Sequence, residues 1–259
     1  MTLPHASGLL AAVRAARARS GHLFVGLDYD GTLTGIVPRP EDAHLPAAAR
    51  RVLERLVARP DTTLAFLSGR ALADVRGRVA VEGAYYAGNH GLEIDGPGVH
   101  RVHPDAAAGG PALARVAAAL ARTFAADPRV TVEDKEITLS LHYRTVPPAE
   151  QDGVRDVALQ IASAEPELRA TEGKCVVEVR PRVDWHKGAA LRFIRESLPD
   201  PDSPALFIGD DVTDEDAFRA LPEGDWGIIV AERLVRETAA QAWLRSPEEV
   251  VEWLADLGA

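Results

Sequence analysis

Short solid runs of apolar residues alternate along the chain with longer stretches in which apolar residues recur every three or four positions. His22-Leu-Phe-Val-Gly-Leu27 is the first solid run and closes on Asp28-Tyr-Asp-Gly31, the pattern of a buried strand ending in a polar turn. Pro46 to Arg59 sets Val52, Leu53, Leu56 and Val57 at helical spacing, with Pro46 suited to a first-turn position. Thr62 to Leu67 predicts a second strand, stopped by Ser68-Gly69-Arg70, and Ala71 to Arg78 predicts a helix. Ala84 to Ala87 predicts a third strand, followed by Gly88-Asn89-His90-Gly91. Such alternation predicts a Rossmann-like parallel α/β sheet. Ligands of these sheets bind beyond the carboxyl ends of the strands, where all three polar clusters fall.

The rhythm changes in the middle of the chain. Pro111 to Ala126 reads as an Ala-rich helix, and Val130 to Glu133 with Ile137 to Tyr143 as a β-hairpin. Pro148 to Ser163 is again helical, before a second strand pair, Leu168 to Thr171 and Cys175 to Val179. Helix then hairpin, repeated, predicts a small α+β domain with helices on one face of an antiparallel sheet. After Pro181 the first rhythm resumes, with helices over His186 to Leu198 and Asp214 to Ala220 and strands over Ala205 to Ile208 and Trp226 to Val230. A last helix begins near Pro247. The expected organisation is a split core, 1–103 plus 182–259, with residues 104–181 inserted as a cap.

Composition narrows the functional classes. The chain has 259 residues and a net charge of −10, which argues against a general nucleic-acid-binding surface. An acidic protein that binds a phosphate ester needs a local cation, a helix N-terminus or a metal to offset charge. Cys175 is the single cysteine, so a disulfide within the chain and a multi-thiolate metal site are excluded. In the run Cys175-Val176-Val177 it reads as a buried thiol. Leu9 to Val13 is too short and too soon broken by Arg14, Arg17 and Arg19 for a signal peptide. No stretch reaches the roughly 20 apolar residues of a membrane helix. A cytoplasmic monomer is expected, with neither membrane nor nucleic acid as partner.

Two acidic constellations carry the candidate chemistry. Asp28 and Asp30 stand two apart at a strand end, so their carboxylates can point the same way. Their mutual repulsion calls for a cation, and Mg²⁺ takes oxygen ligands while keeping several waters. Gly209-Asp-Asp-Val-Thr-Asp-Glu-Asp216 also follows a buried strand. Helix capping and the helix dipole account for Asp214, Glu215 and Asp216. They account less well for Asp210 and Asp211, the better candidates to complete a metal site with Asp28. Ser68-Gly69-Arg70 could offer a hydroxyl and N–H groups to a phosphate oxygen, although serine is also a common N-cap. Lys187, taken alone, reads as a solvated side chain.

The order of these four pieces resembles the haloacid dehalogenase-like superfamily of phosphatases. Asp28-Tyr-Asp-Gly-Thr-Leu33 is similar to its nucleophile motif, Leu67-Ser-Gly-Arg70 to its serine motif, and Gly209-Asp-Asp-Val-Thr-Asp-Glu215 to its acidic motif, with Lys187 at the place of its lysine. Within that superfamily the chain resembles the trehalose-6-phosphate phosphatases. The resemblance runs through Gly88-Asn-His-Gly-Leu-Glu93, Glu133-Asp-Lys135, Leu141-His-Tyr-Arg144, Gly173-Lys-Cys-Val-Val-Glu-Val-Arg-Pro181 and Trp185-His-Lys-Gly-Ala189. One departure is Glu136, where that family commonly has glycine.

The resemblance implies a Mg²⁺-dependent phosphatase that forms an aspartyl-phosphate on Asp28, with Asp30 as acid and base. It implies Mg²⁺ held by Asp28, the Asp30 carbonyl and Asp210, with Asp211 and Asp214 orienting its waters, and phosphate held by Ser68 and Lys187. Substrate binding falls by the same reasoning to Arg70, Asn89, His90, Lys135, His142, Lys174 and Glu178, with cap closure excluding water. The substrate so implied is trehalose 6-phosphate. Sucrose phosphate, a mannosylglycerate phosphate or a pseudo-disaccharide phosphate are alternatives, as is a non-catalytic sugar-phosphate sensor.

Overall fold

The computed structural model describes residues 3–233 and 236–259. The chain divides into two compact units, Met1–Arg101 with Trp185–Ala259, and Val102–Asp184.

In the first unit β1 (Leu23–Leu27), β2 (Thr62–Leu67) and β3 (Tyr85–Gly88) lie parallel, and β4 (Glu93–Gly96) and β5 (Val99–Val102) extend the edge, β4 antiparallel to β3. The second unit holds β6 (Thr131–Asp134), β7 (Leu139–His142), β8 (Leu168–Gly173) and β9 (Val176–Pro181). The first unit then resumes with β10 (Ala205–Gly209), β11 (Trp226–Val230) and β12 (Ala242–Leu244), all parallel to β1. Its eight strands run in the order β12-β11-β10-β1-β2-β3-β4-β5. The chain steps outward one way from β1 and the other way from β10, so the winding reverses between those two strands. A crevice at their carboxyl ends is the ligand position in such a sheet.

Side-chain alternation divides the core into two layers. Leu23, Val25 and Leu27 of β1 face a cluster that includes Val13 of α1 (Leu10–Ser20), Leu53 and Leu56 of α2 (Ala47–Val57) and Val75 of α3 (Leu72–Val79). Phe24 points the other way, into a cluster with helices nearer the C-terminus. The run Leu9 to Val13 enters α1, in which Arg19 is exposed, Arg14 half-buried and Arg17 buried with a guanidinium nitrogen 3.7 Å from Asp61.

In the second unit α4 (Pro104–Ala108), α5 (Gly110–Thr123) and α6 (Pro148–Ser163) accompany a four-stranded antiparallel sheet of order β6-β7-β9-β8. Leu113, Val116 and Leu120 of α5 and Ala158 and Ala162 of α6 pack on Leu139, Leu141, Val177 and Val179. Along β9 burial alternates, which leaves Glu178 and Arg180 on the face away from that core. The α/β core and the α+β cap type both agree with the sequence pattern. Cys175 is a correction. It sits half-buried in the β8–β9 turn, at φ +62°, where the tight reversal takes it off the strand and leaves it packed against the rim of the apolar core.

Glu136 in the β6–β7 turn also has a left-handed backbone, φ +70°, and this explains the glycine common at that place in the resembling family. A Cβ there costs about 1 kcal/mol. Glu136→Gly is therefore expected to stabilise the chain by about 1 kcal/mol, since the bond from the Glu136 N–H to Asp134 Oδ1 is kept. Chemical denaturation measures it, and a lower midpoint would show that the Glu136 side chain has an anchoring role.

The first unit is completed by α7 (Lys187–Glu196), α8 (Glu215–Ala220) and α9 (Pro247–Gly258). Leu191 and Ile194 of α7 and Phe218 of α8 join the Phe24 layer, while Trp253, Leu254 and Leu257 of α9 join the other. The helix expected over Asp214 to Ala220 splits into a 3₁₀ turn, Val212–Asp214, and α8. A capping box between Asp211 and Asp214 holds that turn.

Candidate active site

Asp28 leaves β1 with its N–H bonded to the Ile208 carbonyl of β10 at 2.9 Å, which places it at the winding reversal. Lys187, buried and first in α7, reaches the same point. Its Nζ donates to Asp28 Oδ1 at 2.6 Å and to Asp214 Oδ1 at 2.7 Å. Asp214 is fully buried, and its other oxygen accepts the N–H groups of Asp210 and Asp211 at 3.0 and 2.9 Å. The lone lysine read as solvated is thus an internal ammonium between two carboxylates.

Asp28, Asp210 and Asp214 bring carboxylate oxygens within 4.8 Å of one another. Three hard oxygen donors in a partly buried cluster fit a divalent cation. Gly31 lets the cluster close, because its φ is +87° and a Cβ there would overlap the Asp210 carboxylate, 2.6 Å from Oδ1. Asp214 caps, as its position in the acidic motif suggests, and in addition joins Asp28 and Asp210, while Asp211 takes the N-cap of the 3₁₀ turn and is not in that group. Glu215 was also assigned to capping. It is buried, pairs with Arg236 and accepts the Ala239 N–H at 2.8 Å, tying down the loop beside the motif.

Charge is crowded here. Burial pushes the Asp28 carboxyl well above the usual carboxylate range, Lys187 pulls it down, and Asp214 and Asp210 push it up again. Burial alone would lower the Lys187 ammonium, but Asp214 and Asp28 outweigh it and hold the lysine above its ordinary value. A cation held by the three carboxylates would supply the charge that favours ionised Asp28.

Ser68 follows β2 and is buried; its Oγ accepts the Arg70 N–H at 3.1 Å, leaving the hydroxyl proton available to another acceptor. Arg70, expected from the resemblance to meet substrate, is instead fastened within the protein. Nε and Nη2 grip both oxygens of Asp30 at 2.7 Å, Nη1 donates to Asp74 at 2.7 Å, and Nη2 also reaches the Pro40 carbonyl at 2.9 Å. The Asp30 carboxylate thereby points to Arg70 and lies outside the Asp28–Asp210–Asp214 group.

Asn89 and His90 form a buried turn with left-handed φ of 49° and 57°. Their N–H groups donate to the Arg70 and Ser68 carbonyls at 2.7 and 2.9 Å, bracing the serine loop. Asn89 Nδ2 donates to Glu93 Oε2 at 2.6 Å, a partner that the sequence motif contained but whose role its spacing did not reveal. In the second unit His142 lies 2.8 Å from Glu133, and Lys135, buried, 3.6 Å from Glu178. Lys174 is exposed in the β8–β9 turn, where its carbonyl accepts from Arg144 at 2.7 Å. Among the described residues no helix is long and apolar enough to cross a membrane.

Similarity to known proteins covers nearly all of this. Residues 26–242 match the family model described as trehalose-phosphatase. The trehalose-phosphate phosphatase of Mycobacterium tuberculosis is 40% identical over 261 residues, an alignment that takes in 97% of this chain and 64% of that protein. The chain thus spans somewhat less than two thirds of that relative's length. Among solved structures, the C-terminal domain of the Candida albicans trehalose-6-phosphate phosphatase superposes with a TM-score of 0.81 at 22% identity, covering 99% of this chain and 98% of that one. An Aspergillus fumigatus trehalose-6-phosphate phosphatase gives 0.64 at 25% identity, over 96% and 97% of the two chains. With the family model matching more than four fifths of it, this chain belongs to the trehalose-phosphatase family.

Proposed function

We propose that the chain hydrolyses trehalose 6-phosphate to trehalose and phosphate, in trehalose biosynthesis. The reading is carried by the Lys187 ammonium bonded to Asp28 and Asp214 beside Asp210, in a chain of this family. An Asp28 oxygen attacks phosphorus as the bond to the sugar oxygen breaks, giving an acyl phosphate on Asp28. Asp30 gives the departing oxygen its proton, then accepts one from the water that cleaves the acyl phosphate. For the first step Asp30 turns from Arg70 to the leaving oxygen. Its Arg70-bound form is the base of the second. The Ser68 hydroxyl and Lys187 bind the phosphate oxygens, where fixed donors and charge supply most of the catalysis.

Mg²⁺ would be held by Asp28, Asp210 and the Asp30 carbonyl, with Asp211 and Asp214 orienting its waters. When bound it would offset phosphate charge and favour the ionised nucleophile. Sugar hydroxyls are assigned to Lys135, His142, Lys174 and Glu178 of the second unit and, by the same family resemblance, to Asn89 and His90 of the first. Arg70 acts through Asp30 and the serine loop.

A phosphate-release screen over trehalose 6-phosphate, sucrose 6-phosphate, glucosyl- and mannosylglycerate phosphates and glucose 6-phosphate, each with Mg²⁺ and with EDTA, tests this. Expected is a kcat/KM for trehalose 6-phosphate at least about tenfold above the others, a preference of ~1.4 kcal/mol in the transition state. EDTA should abolish release. Preference for another ester would replace the substrate, and release undiminished by EDTA would remove the metal.

A further inference from the structure

The outer side of α7, away from Asp28, carries a cavity of about 300 Å³ lined by Arg101, Trp185, Ala189, Arg192, Phe193 and Glu196. Ala189, Arg192, Phe193 and Glu196 recur three and four apart, so they form one stripe of the helix. Arg101 of β5 lies across that stripe, its guanidinium carbon 4.2 Å from the Trp185 ring centre and 4.4 Å from that of Phe193. Two rings fix the cation in place, yet they cannot satisfy five N–H donors. Arg192 is exposed at the same cavity. Among the described residues no carboxylate pairs with either arginine, and Glu196, four residues beyond Arg192, does not close on it.

We propose that this cavity is a second anion site, which takes a small phosphate ester outside the catalytic centre. Arg101, held by the two rings, and the exposed Arg192 supply planar N–H donors to the phosphate oxygens, the geometry that suits guanidinium. Trp185 and Phe193 supply an apolar wall for the ester's body, and the volume is at the small end of metabolite sites. The site is wired to the catalytic elements. Trp185 Nε1 donates to the Gly91 carbonyl at 2.7 Å, next to the turn that braces Ser68, and α7 begins with Lys187.

Equilibrium dialysis of radiolabelled inorganic phosphate against the full chain, in EDTA, tests the site. Arg192 is exposed, so Arg192→Glu keeps the fold, and circular dichroism verifies it. Expected is the loss of one bound phosphate per chain, or weakening of one site by about tenfold or more, relative to wild type. The site should persist in Asp28→Asn, which separates it from the catalytic centre. Equal stoichiometry and affinity in Arg192→Glu and wild type would overturn the proposal, as would disappearance of all binding in Asp28→Asn. Phosphate-ester turnover is measured apart from this, so failure of either reading leaves the other standing.

Discussion

Asp28→Asn is expected to lower phosphate release from trehalose 6-phosphate by at least about 10⁴-fold, because removal of a nucleophile leaves only binding and fixed donors to act. Stability should move the other way. In the metal-free chain burial raises the Asp28 carboxyl well above its ordinary value, with Asp214 and Asp210 adding to the rise against Lys187. A raised carboxyl in the folded state means that the native form holds its proton longer than the unfolded chain does. Its contribution to stability is present below the unfolded value, near pH 4, and is lost as pH rises through the folded value. At neutral pH the buried carboxyl is therefore a net burden, and Asn removes it while still accepting from Lys187. The metal-free variant should melt above wild type at pH 7, with the gap narrowing toward pH 4. Thermal melts across that range in EDTA check the sign. A variant less stable at pH 7 would mean that the bond from Lys187 outweighs desolvation. Wild-type turnover would remove Asp28 from the nucleophile role.

The main frame of this site could be read from local sequence because each strand ends in its own polar cluster. Asp28, Ser68 and Asp210 each follow an unbroken apolar run, and a parallel sheet brings such ends together whatever the loops do. Roles within each cluster were less accessible. That Asp211 and Asp214 cap reciprocally depends on a 3₁₀ turn of three residues, and periodicity does not resolve so short an element. The grip of Arg70 on Asp30 joins positions 40 apart in sequence, and the motif Leu67-Ser-Gly-Arg70 assigns arginine no partner. Lys187 looked solvated because burial of an ammonium is improbable until two carboxylates are known to face it. The short strands β4, β5 and β12 escaped for another reason. Three or four residues at a sheet edge need little apolar character, since neighbouring strands and helices supply the burial.

Gly188→Ala should produce the second large loss, without touching any reacting group. Gly188 is the second residue of α7 and lies against α8, where an added Cβ would overlap the Asp216 carbonyl oxygen and stand 2.7 Å from its carbon. Ala220 Cβ on the far end of α8 would be 3.0 Å away, so no small side-chain rotation relieves the overlap. Alanine is the better helix former, and in an exposed helix the change would stabilise. Here backbone meets backbone, so α7 and α8 must part, and overpacking of this kind costs about 1–3 kcal/mol. The neighbouring Lys187 moves with α7, while Asp214, its partner at 2.7 Å, sits at the head of α8. Opening the crossing stretches that ammonium–carboxylate bond and displaces the phosphate-holding charge from Asp28. Misplacement by about 1 Å can cost ~10²-fold in rate. The expected result is a folded chain with kcat lowered about 100-fold and a reduced melting temperature. Steady-state kinetics with circular dichroism decide it. A variant that keeps wild-type kcat while losing stability would show that the α7–α8 contact supports the fold without setting the position of Lys187.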